Sequence, residues 1–148
     1  MSGNQKTDNR TYLDGAVRVR TLPVFDWPLS EPVLDGGILH TPQGDLTQVM
    51  NGASIQFLAV IDFLDGQPRG GHVHPDRNEV FYLVRGAVDL VVEHPESRKH
   101  ERISLQVGDL ATLDPGVAHV YYSHGPAQAL ELSSQAYSPS GTVAYDIS

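Results

Sequence analysis

The sequence contains no cysteine, so disulfide bridges, thiolate nucleophiles and thiolate metal ligands are all excluded. That absence fits a reducing compartment, and a cytoplasmic location is expected. The opening residues, MSGNQKTDNR, are polar and offer no apolar stretch for a secretory signal. No run approaches the ~18 consecutive apolar residues that a membrane span needs. Basic residues are scarce beside acidic ones: 10 Lys and Arg against 18 Asp and Glu give a formal net charge of −8. Such a surface repels phosphate backbones and anionic lipid, so neither nucleic acid nor a membrane is expected as a partner. A small-molecule substrate, even an anionic one, is compatible with it, because a few arginines inside a pocket override the mean field. Sustained helical periodicity is missing too, which argues against a helical fold.

What is present is a series of short apolar runs broken by Gly, Pro and Asp, starting at Ala16. Residues 1–15 carry almost no apolar periodicity and are expected to form a flexible N-terminal arm. Residues 16–148 are expected to form one domain, since a chain of this length holds a single core and buries roughly 70% of its unfolded surface. Candidate strands are 16–22, 37–41, 45–50, 54–62, 70–74, 79–85, 87–94, 101–107, 110–113, 118–124 and 128–133. Turn signals such as Asp65-Gly66, Gly108-Asp109 and Pro115-Gly116 separate several of them. Short strands spaced by turns specify an all-β sandwich or barrel. Only 42–50 is ambiguous, and Pro42 and Gly44 weaken a helix there.

Alternation sets the facing of several strands. Val88, Leu90 and Val92 share one face and Asp89 and Glu93 the other; Ile103, Leu105 and Val107 also align. The run 79–84 is apolar on both faces, so one side meets the interior and the other meets a second sheet or a partner subunit. In AVRVRTL, Val17 and Val19 alternate with Arg18 and Arg20. This strand either extends the sheet of a neighbouring subunit or pairs within its own chain.

The chemistry concentrates in GHVHPDRNEVFYLVRG, residues 71–86. His72 and His74 are two apart, so a strand points both imidazoles to one face. Glu79 follows a turn containing Pro75 and shares its face with Phe81 and Leu83. If those two look into the core, so does the carboxylate. A buried carboxylate facing imidazoles is costly unless the groups are paired or bind a metal. Neutral imidazole nitrogens and one carboxylate oxygen suit divalent first-row ions. In GDLATLDPGVAHVYYS, residues 108–123, His119 opens a strand and supplies a fourth candidate ligand from a distance. Tyr121 shares its face and is expected near the cavity mouth. His40, His94, His100 and His124 lack such partners. His94 and His100 flank the polar insert PESRK in an expected solvated loop, and His124 belongs to the cavity edge or an exposed turn.

These residues resemble the cupin superfamily. Its first motif, G-x5-H-x-H-x4-E-x6-G, is met by Gly66, His72, His74, Glu79 and Gly86. Its second, G-x5-P-x-G-x2-H-x3-N, is met by Gly108, Gly116 and His119, with Asp114 at the Pro position and Ser123 at the Asn position. Pro115 stands next door, and neither departure touches a ligand. The resemblance covers residues 66–123. It implies a cupin-type β-barrel (a double-stranded β-helix, or jelly roll) and one divalent transition metal ion, such as Zn, Fe, Mn or Ni, on His72, His74, Glu79 and His119. A homodimer is expected, as for many cupins.

A weaker likeness points to cupins that modify nucleotide sugars. Arg69-Gly70 ahead of the ligands is similar to their strand start, where an arginine meets substrate phosphate. The ending LELSSQAYSPSGTVAYDIS is similar to a tail in which Tyr-x-Pro closes over the barrel mouth, here Tyr137 and Pro139. The metal-free epimerases of that group lack the four-ligand set, so the zinc-bearing epimerase domains are the nearer likeness. Three functions remain open. The first is a metal-dependent isomerase or epimerase for a small oxygen-rich substrate such as a keto-sugar nucleotide, with the ion polarising a carbonyl. Tyr121, His124 or Tyr137 would move protons, and Arg69, Tyr121 and Tyr137 would bind substrate. The second is an Fe(II) dioxygenase or related oxidative enzyme; the third is a ligand-binding cupin without turnover, or a lyase or decarboxylase.

Overall fold

Residues 8–147 are described by a computed structural model, in which the apolar alternation becomes fourteen strands. They are β1 (Asn9–Tyr12), β2 (Val17–Thr21), β3 (Val24–Asp26), β4 (Gly37–Thr41), β5 (Gly44–Gln48), β6 (Phe57–Phe63) and β7 (Pro68–Val73). The second half adds β8 (Glu79–Arg85), β9 (Val88–Glu93), β10 (His100–Leu105), β11 (Asp109–Leu113), β12 (Ala118–Ser123), β13 (Ala127–Ser133) and β14 (Val143–Ala144). One antiparallel sheet runs β1-β2-β11-β8-β13-β6 and a second runs β10-β9-β12-β7-β14. Their inner faces meet in a jelly roll, as an all-β chain with these turns requires. No helix among the described residues is long and apolar enough to cross a membrane.

The core follows the period-2 pattern. Val88, Leu90 and Val92 from β9 meet Ile61, Phe81, Leu83, Ala111 and Leu113 from the facing sheet. Phe81 stacks on Tyr121 with ring centroids 4.2 Å apart, and Phe63 meets both rings edge-on. Val80 and Tyr82, on the other face of β8, are buried as well. Their cover comes from the same chain. Thr47 on β5 lies near Tyr82, and Met50, Ala53 and Ile55 enclose a small cavity with Val80 and Leu132. A third sheet, β3-β4-β5, lies in this covering segment. That layer explains an inversion in β13, where Ala129 and Glu131 pair with the inward Leu83 and Phe81. Leu130 and Leu132 therefore point outward, toward the added layer.

Three expectations change. The flexible arm does not extend through residues 9–15, because β1 pairs with β2 from Asn9↔Arg20 to Tyr12↔Val17. Leu13 is buried there, and its N–H donates to Glu101 Oε2 at 2.7 Å; residues 1–7 of the arm lie outside the described residues. One buried leucine in a polar segment leaves no periodicity to read. β2 pairs with β1 and β11 of its own chain rather than extending a neighbour's sheet. Val107 lies beyond β10 and is exposed, so it does not continue the Ile103–Leu105 stripe.

Gly70 sets the placement of the site. Its φ is +107°, and a Cβ there would stand 2.9 Å from the His119 carbonyl oxygen and 3.2 Å from Val120 Cα. The pairing of β12 with β7 shifts register at this point, between His119 and Val120, which brings His119 opposite His72. Gly66 also has positive φ, but a Cβ there meets nothing within 4 Å. Gly66→Ala is expected to cost roughly 1 kcal/mol from backbone strain alone. Gly70→Ala, with the added backbone collision, is expected to cost about 2 kcal/mol or more, lowering Tm by roughly 4–8 °C. Equal melting temperatures for the two variants would contradict this account.

Candidate metal centre

Three elements converge on one point inside the barrel. β7 supplies His72, with His74 just past its end; β8 opens on Glu79; β12 contributes His119. One ligand atom from each of the four lies within 4.8 Å of all the others. His74, Glu79 and His119 are buried, whereas His72 is half-buried. The sequence pattern therefore places all four together, with one side of the group open toward solvent.

The imidazoles are held from behind. His119 Nδ1 donates to the Val117 carbonyl at 3.1 Å. His74 Nδ1 lies 3.3 Å from the Gly141 carbonyl and 3.1 Å from Thr142 Oγ1. Carbonyl oxygens only accept, so in both rings a proton is held on Nδ1 and Nε2 is the atom that offers a lone pair once deprotonated. Both Nε2 atoms are buried without a hydrogen-bond partner. His119 Nε2 approaches Glu79 Oε2 to 3.0 Å and His74 Nε2 approaches Oε1 to 3.8 Å, but neither contact has hydrogen-bond geometry. Buried orphaned nitrogens aimed at a carboxylate are what a divalent ion would satisfy. The donor set of three imidazoles and one carboxylate fits such an ion.

The electrostatics are those of a tightly coupled group. Burial lowers the His72 pKa to about 4, aided by His119 and His74. Burial opposes charge on His119 and Glu79 too, but their mutual attraction wins: the His119 pKa rises and the Glu79 pKa falls well below the usual carboxylate range. Tyr121 donates to Glu79 Oε2 at 2.6 Å. Burial and the Glu79 charge push its phenol well above its ordinary pKa, so it keeps its proton.

Tyr121 is therefore part of the floor, not the mouth: it is buried in the core cluster beneath Glu79. His124 is not brought to the site, since it pairs with Asp89 at 3.0 Å on the outer face of β9. Arg69 is exposed on β7 in register with Tyr121, and Tyr137 is exposed with its ring 6.1 Å from Phe57. His94 lies in the loop after β9, as expected, but it is half-buried and its Nε2 contacts the Leu13 carbonyl at 3.2 Å, whereas His100 opens β10.

Two groups escaped the sequence pattern. Glu131 faces inward from β13 beside Glu79; burial and that neighbouring carboxylate raise its pKa to about 8. Arg77 is buried in the turn before β8 with Nη1 3.6 Å from Glu131 Oε1. Leucines flank Glu131 in the sequence, and alternation alone would have turned them inward and the glutamate out. The tail was anticipated as a cover, but its grip on His74 was not. β14 pairs with β7, Tyr145 N–H donates to the Gly71 carbonyl at 2.8 Å, and the Tyr145 hydroxyl donates to the buried Glu93. A cavity of about 520 Å³ lies elsewhere, lined by Val73, Pro75, His94, Pro95, Glu96, Ser97 and Gly116. It holds none of the four candidate ligands.

A family model described as the cupin domain matches residues 59–133. No curated protein matches the chain. Among solved structures, a 3,4-ketoisomerase from Helicobacter canadensis is 18% identical with a TM-score of 0.65, over 74% of this chain and 86% of that one. A 4-keto-6-deoxy sugar epimerase from the novobiocin cluster of Streptomyces spheroides is 18% identical with a TM-score of 0.70, over 93% and 72%. A dTDP-6-deoxy-D-glucose-3,5-epimerase from Legionella pneumophila, in complex with dTDP-4-keto-L-rhamnose, is 13% identical with a TM-score of 0.70, over 93% and 76%. At these identities the likeness is one of fold.

Two measurements test the arrangement. Metal uptake near neutral pH should release about one proton, drawn from the His119–Glu79 pair, because ligands bind only when deprotonated. Affinity should accordingly fall with decreasing pH, with His72 joining only near pH 4. Calorimetric titrations in two buffers of different ionisation heat read the proton directly; none released would contradict the pairing. Truncation after Ser138 should weaken metal affinity roughly 10–100-fold by freeing His74 Nδ1. Chelator competition, on protein whose cooperative melt is retained, checks this.

Proposed function

The chain belongs to the cupin domain family, and from that premise we propose that it is a metal-dependent isomerase or epimerase acting on a small oxygen-rich substrate, such as a keto-sugar nucleotide. The observation that carries this reading is the pair of buried, unpartnered Nε2 atoms beside Glu79, with half-buried His72 on the open side. The neighbours support the substrate class, being named as a ketoisomerase and epimerases of keto sugars. An ion bound there would polarise a substrate carbonyl and make the adjacent C–H more acidic.

The chain's own residues divide the remaining work. His74 and His119 are oriented by carbonyls behind them, so their free nitrogens need no rearrangement when an ion binds. Tyr121 fixes one Glu79 oxygen and, holding its proton tightly, acts as an orienting donor rather than a base. Glu131, beside Glu79 in the same chamber, is placed to hold or pass a proton. The stacked Phe81 and Tyr121 rings, with Phe63 beside them, close the floor to water. Tyr137 and Arg69 are exposed and available to the outer part of a larger substrate.

The same ligand set also suits an Fe(II) dioxygenase, and the open side at His72 is the feature that favours this second reading. The two separate in one assay. Protein loaded with its preferred metal is incubated with a TDP-4-keto-6-deoxy sugar in deuterated water and followed by proton NMR. Exchange of the C–H beside the carbonyl is expected, reduced roughly 100-fold or more in Glu79→Gln. Substrate-dependent oxygen uptake without exchange would overturn the isomerase reading in favour of the oxidative one.

A further inference from the structure

The turn between β7 and β8 carries a cation that none of these steps employs. Arg77 is 7% exposed, yet it comes from a turn, where arginines ordinarily reach solvent. It lies close enough to His72 and Glu131 for its charge to act on both. Its guanidinium carbon stands 4.4 Å from the centroid of the Phe57 ring, and its Nη1 faces Glu131 Oε1 at 3.6 Å. The face and one corner of the guanidinium are therefore fixed. Its Nε and Nη2 are buried and have no hydrogen-bond partner.

Those two nitrogens are not an arbitrary pair. Nε and Nη2 form the lateral edge of the guanidinium, whose two N–H bonds run parallel at the spacing of two oxygens on one carboxylate. A dry, charged donor edge is costly unless something accepts from it. The charge balance points the same way. Beside the four-ligand cluster, whose one carboxylate is Glu79, the Arg77 guanidinium already offsets one negative charge. A divalent ion would thus leave a locally cationic chamber inside a chain of formal net charge −8.

We propose that the Nε–Nη2 edge of Arg77 is an anion subsite beside the metal cluster, which takes the carboxylate of a small ligand whose other oxygen reaches the ion. The inference rests on reading the cluster as a metal-held substrate site, and it deepens that reading by making a carboxylate part of the oxygen-rich substrate. It does not depend on which reaction follows. Phe57 sets the plane of recognition through its contact with the guanidinium face, and Glu131 prevents the side chain from swinging to solvent. A phosphate offers the same pair of acceptors but is tetrahedral and bulkier, so the planar group is the better match to a buried edge.

The test is calorimetric binding to the zinc-loaded full chain, with lactate, its neutral isostere lactamide, and inorganic phosphate as probes. Lactate should bind at least roughly 10-fold more tightly than lactamide, the margin of a charge-assisted hydrogen-bonded pair. Arg77→Gln should lose that margin while zinc content stays at the wild-type level. Arg77→Lys, which keeps the charge but not the parallel edge, should recover only part of it, and it serves as the readout if Arg77→Gln fails to fold. Equal binding of lactate and lactamide, or full binding by Arg77→Gln, would overturn the subsite. Phosphate binding more tightly than lactate would overturn the carboxylate assignment. A chain that takes up zinc but ignores lactate defeats this inference alone. A chain that takes up no zinc defeats the proposed function, and the subsite with it.

Discussion

The interior is organised around one buried carboxylate. Glu79 is 2% exposed at the first position of β8, with β11 on one side and β13 on the other. Removing that charge from water is expensive, and the expense has to be offset by groups that face it. They come from everywhere in the fold: Tyr121 and His119 from β12, His74 from beyond β7, Glu131 from β13. Arg77 then answers Glu131. A chain that puts a glutamate here must close both sheets around it, so the site and the fold are one construction. Breaking a single partner leaves an uncompensated charge in the interior, which is why the polar centre specifies the register of the strands around it.

Much of this was legible because strand geometry is rigid. Two residues apart means one face, so His72 with His74, and Glu79 with Phe81 and Leu83, could be placed without any coordinates. Alternation pointed to His72, His74 and Glu79, while His119 joined them as a fourth candidate with the support of the resemblance to cupin motifs. What could not be read depended on contacts between segments far apart in the chain. Glu131 points inward because a separate layer, residues 22–56, covers the leucines beside it. Arg77 looks like an ordinary polar turn residue until Phe57 and Glu131 close over it. Leu13 anchors β1 through a bond to Glu101 that no local pattern announces. Tyr121 shares a face with His119 as expected, but alternation gives the face and not the depth, and depth turned it from a mouth residue into a floor.

Inside and outside obey different electrostatics. The outer charges pair across strands in partly solvated contacts, such as Arg18 with Asp114 at 2.9 Å and Arg102 with Asp89 at 2.8 Å. Exposed pairs of this kind contribute little to stability and are weakened further by salt. Within the barrel the same charges are screened far less, and Glu79, His119 and Glu131 shift one another's titration. The strongly acidic exterior therefore says little about what the interior recognises.

The tail gives the molecule an order of completion. His74 and the carbonyl that orients it are 67 residues apart in sequence, and Tyr145 is still further along the chain. On a ribosome the strands that carry His72, Glu79 and His119 are synthesised well before residues 139–145 emerge. The two sheets can begin to associate during translation, but the ring that depends on Gly141 acquires its fixed orientation only after the last strand has docked. On the proposed reading of the cluster as a metal centre, choice among ions would be deferred until the tail has docked, and a nascent chain stalled short of Gly141 would present the same four side chains with His74 unoriented.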